Sequence, residues 1–244
     1  MRKIKLTIAY DGTGYYGWQK QKGLITVQQT LEEGLCKIFG EKITLVASGR
    51  TDTGVHALGQ VVSFATKGKI PTDKIVKAAR TVLPSAIAVL LAEEVPEDFH
   101  ARYSAKGKQY LYKIIQTELP DPFQENYAWL LAKQLDMDSM TQAAELIVGE
   151  HDFSSFRASG STPTQPVRTV YAASWSKIEK QLIFTIKGTG FLYHMVRNLV
   201  GSFVDVGTRK ISVVDFTKIF LAKDRKLAGK TAPAQGLYLE KVFY

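Results

Sequence analysis

The feature that most constrains the fold is the spacing of apolar residues, which changes along the chain in an order that occurs twice. Arg2 to Tyr10 alternates, with Ile4, Leu6 and Ile8 on one face and Lys3, Lys5 and Thr7 on the other, the period of a half-buried strand. Thr26-x-x-Gln29 has the form of a capping box. The helix it opens carries Val27, Leu31, Leu35 and Ile38 on one side, and Gly40 stops it. Residues 42–47 and 57–65 read as strands around a polar loop. Residues 72–83 read as a helix with Ile75, Ala79 and Val82 inward, ended by Pro84. Residues 87–95 follow as a strand expected to be buried on both faces, because they open on the apolar run Ala86-Ile87-Ala88-Val89-Leu90-Leu91-Ala92. The second half repeats this order. A strand at 103–116 leads to a helix at 136–148 with Met140, Ala144 and Ile147, a hairpin of 169–176 and 182–187, and a helix at 191–206. An added helix at 213–221 precedes a last strand at 237–243.

Strand, helix, strand, strand, helix, strand is the split βαβ plan of ferredoxin-like and RNA-recognition-type modules. The expectation is an α+β protein of two tandem βαββαβ modules, residues 1–105 and 106–244. They would share an extended mixed, mainly antiparallel sheet with a central cleft. The plan is common and does not by itself fix a function. Charge narrows the choice slightly. The 244 residues hold 32 Lys and Arg against 23 Asp and Glu, a net +9. The excess is spread evenly over both halves, as on a folded basic surface rather than a tail, which suits a polyanionic partner or simple solubility. One cysteine, Cys36, excludes an internal disulfide framework and a Cys-built zinc site. The apolar run 86–92 is far too short to span a bilayer, and Met1-Arg2-Lys3-Ile4-Lys5 opens no signal-peptide pattern. A soluble, cytoplasmic protein is expected.

Four stretches could carry chemistry. Gly12-Thr13-Gly14-Tyr15-Tyr16-Gly17 matches G-x-G-x-x-G after a strand, but Tyr15, Tyr16, Gly17, Trp18 and Gly23 make a poor first helical turn. Glu32 and Glu33 lie at the right distance for a ribose contact, yet within a helix. A flexible loop whose aromatics stack on bases or pack inward is the competing reading. Gly49-Arg50-Thr51-Asp52-Thr53-Gly54-Val55-His56-Ala57 joins two strands. It can present Asp52 as an ionised nucleophile or base, or it can be an Asx-type turn in which Asp52 bonds its own backbone. Lys106-Gly107-Lys108-Gln109-Tyr110-Leu111-Tyr112-Lys113 puts Tyr110 and Tyr112 on one strand face among lysines, which suits base stacking or ordinary inward packing. In Gly188-Thr189-Gly190-Phe191-Leu192-Tyr193-His194-Met195-Val196-Arg197-Asn198, an apolar stripe of Leu192, Met195, Val196, Leu199 and Phe203 faces one way. Gly190, His194, Arg197, Asn198 and Gly201 face the other. Small neighbours would leave Arg197 room to reach a carboxylate or phosphate, unless it is a solvated surface arginine. The four histidines, His56, His100, His151 and His194, have no metal-ligand spacing.

Taken together these stretches resemble the tRNA pseudouridine synthase A family nearly end to end. The resemblance rests on Tyr10-Asp11-Gly12-Thr13 with Gly17-Trp18-Gln19, the Arg50-Thr51-Asp52 loop, Phe99-His100-Ala101-Arg102 and Lys108-x-Tyr110-x-Tyr112. It continues through His151-Asp152-Phe153-x-x-Phe156, residues 191–198 and Pro233-Ala234-Gln235-Gly236-Leu237. It implies the pseudouridine synthase fold, with the cleft as catalytic centre. It also implies an isomerase that converts uridine to pseudouridine at positions 38, 39 and 40 of the tRNA anticodon stem-loop, works as a homodimer and needs no cofactor or metal. Asp52 matches the family's catalytic aspartate, attacking ribose C1′ or the pyrimidine ring. Arg197 matches the arginine that pairs with it, and Tyr110 the tyrosine that stacks on uracil and moves a proton. Leu237 matches a strand that walls the pocket. Arg50, Thr51, His56, Lys20 and Lys22 are candidate substrate-binding residues. A non-catalytic tRNA-binding module would need no Asp52, and an oxidoreductase resting on Gly12–Gly17 would bind a nicotinamide cofactor.

Overall fold

A computed structural model describes residues 1–158, 160 and 165–244. In chain order the elements are β1 (Arg2–Tyr10), α1 (Val27–Phe39), β2 (Val46–Ala47), β3 (His56–Thr66), α2 (Thr72–Val82), β4 (Ile87–Val95), β5 (Gly107–Gln116) and β6 (Trp129–Leu131). They continue with α3 (Met137–Glu145), β7 (Gly149–Asp152), β8 (Val167–Ile178), β9 (Gln181–Gly188), α4 (Met195–Gly207), α5 (Val213–Ala222) and β10 (Leu237–Phe243). The protein is α+β, as expected. The chain divides into two compact units, Met1–Lys106 with Tyr238–Tyr244, and Gly107–Leu237.

In the first unit β1 lies between β4 and β3, antiparallel to both, and β2 pairs antiparallel with β3. The order β4-β1-β3-β2 is the split βαβ arrangement read from the sequence. The C-terminal strand β10 joins this unit by parallel pairing of Tyr238 and Leu239 with His56 and Ala57. Ile4, Leu6 and Ile8 are fully buried, which is what alternation in β1 requires. Helix α1 starts at Thr26, whose hydroxyl accepts the Gln29 N–H, and ends at Gly40 in the left-handed conformation. Only half of the expected capping box forms, because Gln29 Nε2 instead donates to Glu33 one turn on. The single cap is still worth about 1 kcal/mol.

In the second unit the order is β5-β9-β8-β7, all antiparallel, with β6 parallel to β5. β5-β9-β8, with α3 between β5 and β8, repeats the β1-β3-β2 core of the first unit. Phe153, Phe156, Phe184, Phe203 and Phe216 are fully buried there, with ring centroids 5.2–5.8 Å apart along the chain of contacts from Phe184 through Phe203 and Phe216 to Phe156. Stacked and edge-to-face pairs of this kind add about 0.5–1.5 kcal/mol each beyond their burial.

Four expectations need correction. Strand β4 is not buried on both faces: Leu90 and Leu91 are half exposed. Its ladder with β1 jumps from Leu91↔Thr7 to Val89↔Ile8, so Leu90 is an extra residue in a β-bulge that breaks the alternation. The expected strand at 42–47 shrinks to Val46–Ala47. The strand expected from residue 103 begins at Gly107. The helix expected from residue 191 begins at Met195, because His194 adopts φ +58 and left-handed backbone cannot continue a right-handed helix. Opposite the apolar stripe of α4, Asn198 is buried as completely as Leu199, and Gly201 is buried too.

Candidate active site

β1 ends at Tyr10 and β3 begins at His56, and these strands pair in antiparallel register. The loop after β1 therefore runs beside the loop before β3, and the two fix each other through main chain. Trp18 N–H donates to Thr51 O at 3.0 Å, and Val55 N–H donates to Asp52 O at 3.1 Å. The second bond closes a turn from Asp52 to Val55 in which Gly54 has φ +76, the position of a type II turn that calls for glycine. The turn is thus closed by the main-chain carbonyl of Asp52. A Cβ on Gly12 would lie 2.2 Å from Val55 O. One on Gly17, at φ +78, would lie 2.8 Å from Thr51 O. This is what two glycines of the G-x-G-x-x-G match do: they let one backbone rest on another. No helix begins until Val27, and the Glu32 carboxylate accepts the Leu45 N–H at 3.1 Å. Both findings remove the dinucleotide reading.

Beneath the Asp52 turn lies a buried polar scaffold. Tyr10 Oη and Thr51 Oγ1 are 2.8 Å apart. Burial pushes the Tyr10 phenol up to about 12, against the opposing pull of its hydrogen bonds with Thr51 and Gln60, so it stays neutral. Fully buried Gln60 donates to Gly49 O at 2.9 Å and accepts from Ser48 Oγ at 2.6 Å, which pins the entry to the loop. Asp52 itself is half-buried and Arg50 is exposed. His56 is buried; its Nδ1 accepts the Gly12 N–H at 3.0 Å and its ring stacks on Tyr238 at 4.7 Å. The same nitrogen lies 3.3 Å from Asp11 Oδ1, but a nitrogen that accepts an N–H carries no proton. We therefore assign a neutral ring protonated at Nε2. The Asp11 carboxylate has its own donors in Thr13 N–H and Oγ1. Thr51 and His56 thus shape the loop from inside. Lys20 and Lys22 are exposed on a neighbouring excursion closed by Tyr16 N–H to Ile25 O at 2.9 Å. Of the aromatics there, Tyr15 and Trp18 are buried and Tyr16 is half exposed.

In the second unit Tyr110 is nearly buried, edge-on to Phe191 with centroids 5.1 Å apart. Tyr112, two residues on, is fully buried and donates to Pro233 O at 2.8 Å. Burial raises its phenol far above the usual range, with the Arg197 charge pulling the other way, so Tyr112 is a permanent donor. A Cβ on Gly236 would lie 2.5 Å from the Tyr112 ring, so only glycine lets residues 233–236 lie across it. Leu237, next in the chain, is buried. Arg197, half-buried on the first turn of α4, donates from Nε to Ala232 O at 2.8 Å and is not a solvated surface residue. Of the two small neighbours expected to leave room beside it, Gly201 does not, since a Cβ there would lie 1.7 Å from Lys230 O, whereas a Cβ on Gly190 would meet only Arg168 Nε, at 3.9 Å.

Several positioning residues escape sequence reasoning. Gln60 leaves one signal, a long polar side chain beside the apolar pair Val61-Val62 of a buried strand. Arg225 and Thr231 leave none, because they lie in a loop far along the chain from the helix they serve.

A family model described as tRNA pseudouridine synthase matches residues 6–104 and 143–244. The chain belongs to the tRNA pseudouridine synthase family. Its chemistry is therefore isomerisation of uridine to pseudouridine in tRNA. It is similar over its full length to the tRNA pseudouridine synthase A of Thermoanaerobacter sp. (strain X514), at 46% identity over 244 residues and 100% of both chains. The enzyme of the same name from Acetivibrio thermocellus is also 46% identical over 100% of both chains. Among solved structures, a chain of a Cbf5-Nop10-Gar1 complex superposes with TM-score 0.40 and 14% identity, over 82% of this chain and 45% of that one. Among the described residues no helix is long and apolar enough to cross a membrane, and no group of three or more His, Cys, Asp or Glu could hold a metal ion.

Proposed function

We propose that the protein isomerises uridines 38, 39 and 40 of the tRNA anticodon stem-loop with Asp52 as nucleophile. The observation that carries this reading is the mounting of Asp52: a half-buried carboxylate at the head of a glycine-dependent turn, braced by the backbone of Gly12–Trp18. A nucleophile needs such preorganisation, because misplacement of about 1 Å can cost about a hundredfold in rate. In the reaction a carboxylate oxygen bonds to ribose C1′ or to uracil C6, and the bond from C1′ to the base nitrogen breaks. The base turns, C1′ joins C5, the Asp52 ester is released, the proton on C5 leaves, and N1 takes one up. Atoms and electrons balance within the nucleotide, so the sequence of steps calls for no cofactor or metal.

Arg197 would hold the carboxylate ionised and oriented through its planar fork, a task an ammonium performs poorly. Tyr110 would stack on the extruded uracil and accept or relay the C5 proton. Extrusion costs a few kcal/mol, and stacking worth about 1–3 kcal/mol offsets much of it. Leu237 would form part of the pocket wall. Arg50, Lys20 and Lys22 would bind phosphates, while Thr51 and His56 contribute by shaping the loop. A homodimer would place basic surface from two copies along one tRNA.

The test is to incubate the protein with an unmodified tRNA transcript carrying uridine at positions 38, 39 and 40 and to map pseudouridine by carbodiimide labelling and primer extension. Modification confined to those positions is expected. Modification elsewhere with those three left intact would overturn the site assignment.

A further inference from the structure

Residue 198 follows Arg197 on α4 and is fully buried, so its amide must find partners inside the protein. It finds three. Asn198 Nδ2 donates to Phe156 O at 2.7 Å, and Oδ1 accepts from Arg225 Nη2 at 2.9 Å and from Thr231 Oγ1 at 2.7 Å. The Arg225 guanidinium spans the same loop, donating also to Ala228 O at 3.2 Å, Gly229 O at 3.1 Å and Thr231 Oγ1 at 3.1 Å. Ser202 completes the attachment by accepting the Gly229 N–H at 2.9 Å. Residues 225–232 are thereby strapped onto α4. The strap ends at Ala232, which exchanges two bonds with Arg197: Ala232 N–H to Arg197 O at 3.1 Å, and Arg197 Nε to Ala232 O at 2.8 Å.

We infer that Arg225 is a positioning residue for Arg197, acting through the loop that ends at the Ala232 carbonyl. This rests on the reading of Arg197 as the partner of Asp52. An arginine side chain has many rotamers, and a bond at Nε fixes the plane of the fork before substrate arrives. The carbonyl that makes this bond is only as well placed as the loop that carries it. Arg225 is the one side chain in that loop that bonds both the loop's own carbonyls and the α4 amide next to Arg197.

The test compares kcat and KM for tRNA in the full-length wild type, Arg225→Ala, Arg197→Lys and the double variant, with melting temperature recorded for each. Arg225→Ala should lower kcat about tenfold with KM for tRNA nearly unchanged, and should cost nothing further once Arg197 is lysine. Thr231→Val, which keeps the shape and removes one hydroxyl, should lower kcat about threefold with the same dependence on Arg197. Additive losses in the double variant would overturn the inference. So would wild-type kcat for both loop variants, or a lower melting temperature without slower turnover. If Arg197→Lys itself turns over at the wild-type rate, the pairing of Arg197 with Asp52 is wrong and this inference falls with it. A slow Arg197→Lys beside normal loop variants removes the inference alone.

Discussion

The Asp52 turn and the Arg197 helix carry the two charged groups assigned to the chemistry, and the protein mounts them differently. Around Asp52 the bracing is mostly main chain: Trp18 N–H on Thr51 O, Val55 N–H on Asp52 O, and glycines at 12 and 17 where any Cβ would strike the opposite backbone. Around Arg197 the bracing is mostly side chain, through Asn198, Arg225, Thr231 and Ser202. The difference follows from local structure. A loop has unspent N–H and C=O groups and can lock directly onto another loop. A helix consumes nearly all of its backbone groups in its own ladder, so a neighbouring segment must be attached by side chains. Main-chain bracing fails abruptly when a side chain intrudes, whereas side-chain bracing can weaken by steps.

The sharpest contrast is a methyl group added to each mounting. Gly12→Ala drives its Cβ into Val55 O, and displacement of the Asp52 turn should lower kcat about a hundredfold. Gly201→Ala drives its Cβ into Lys230 O, but the strap can shift while Arg225 and Thr231 keep part of its attachment. A loss of about tenfold in kcat is expected, with about 1–3 kcal/mol of stability. Steady-state kinetics on both variants breaks the comparison if Gly201→Ala proves the more damaging.

The smallest effect concerns acid stability. Glu41 in the first unit accepts from the Thr66 hydroxyl and from Lys67 and Gly68 N–H, and these bonds hold its carboxyl below its usual 4.5. Asp215 in the second unit is held below its usual 3.8 by Ser212 in a capping box. Each depressed value means that the fold favours the ionised form. The stability it contributes is present in full above the unfolded value and fades as pH falls through the folded one. Melting temperature should therefore decline below about pH 4.5. Glu41→Gln should flatten the upper part of that decline, and an unchanged acid profile would remove Glu41 from the account.

Elements with a clean period were legible in the sequence. β1, α1, α2, the β8–β9 hairpin and β10 lie where alternation or the three-to-four spacing puts them. β4 also lies where it is expected, at 87–95, but its exposure is not legible, because an apolar run records hydrophobicity without recording a bulge, and Leu90 is that bulge. The start of α4 was misread because a left-handed His194 has no compositional signature. In the candidate site the chemistry-bearing types stood out as motifs, while the groups that hold them did not. Arg225 meets Asn198 across 27 residues and Gln60 meets Gly49 across 11, and no local pattern encodes either pairing. The G-x-G-x-x-G match shows the converse. Its glycines were conspicuous, but what requires Gly12 and Gly17 is a neighbouring backbone rather than a phosphate.

The central claim is that one carboxylate does the chemistry while basic surface holds the tRNA. It is tested most directly by Asp52→Asn, which removes the charge and leaves the side chain's shape. Release of tritium from tRNA containing 5-tritiated uridine should vanish, while tRNA binding by filter retention stays close to wild type and weakens with salt as the native protein does. Appreciable tritium release by this variant, with pseudouridine formed, would contradict the account.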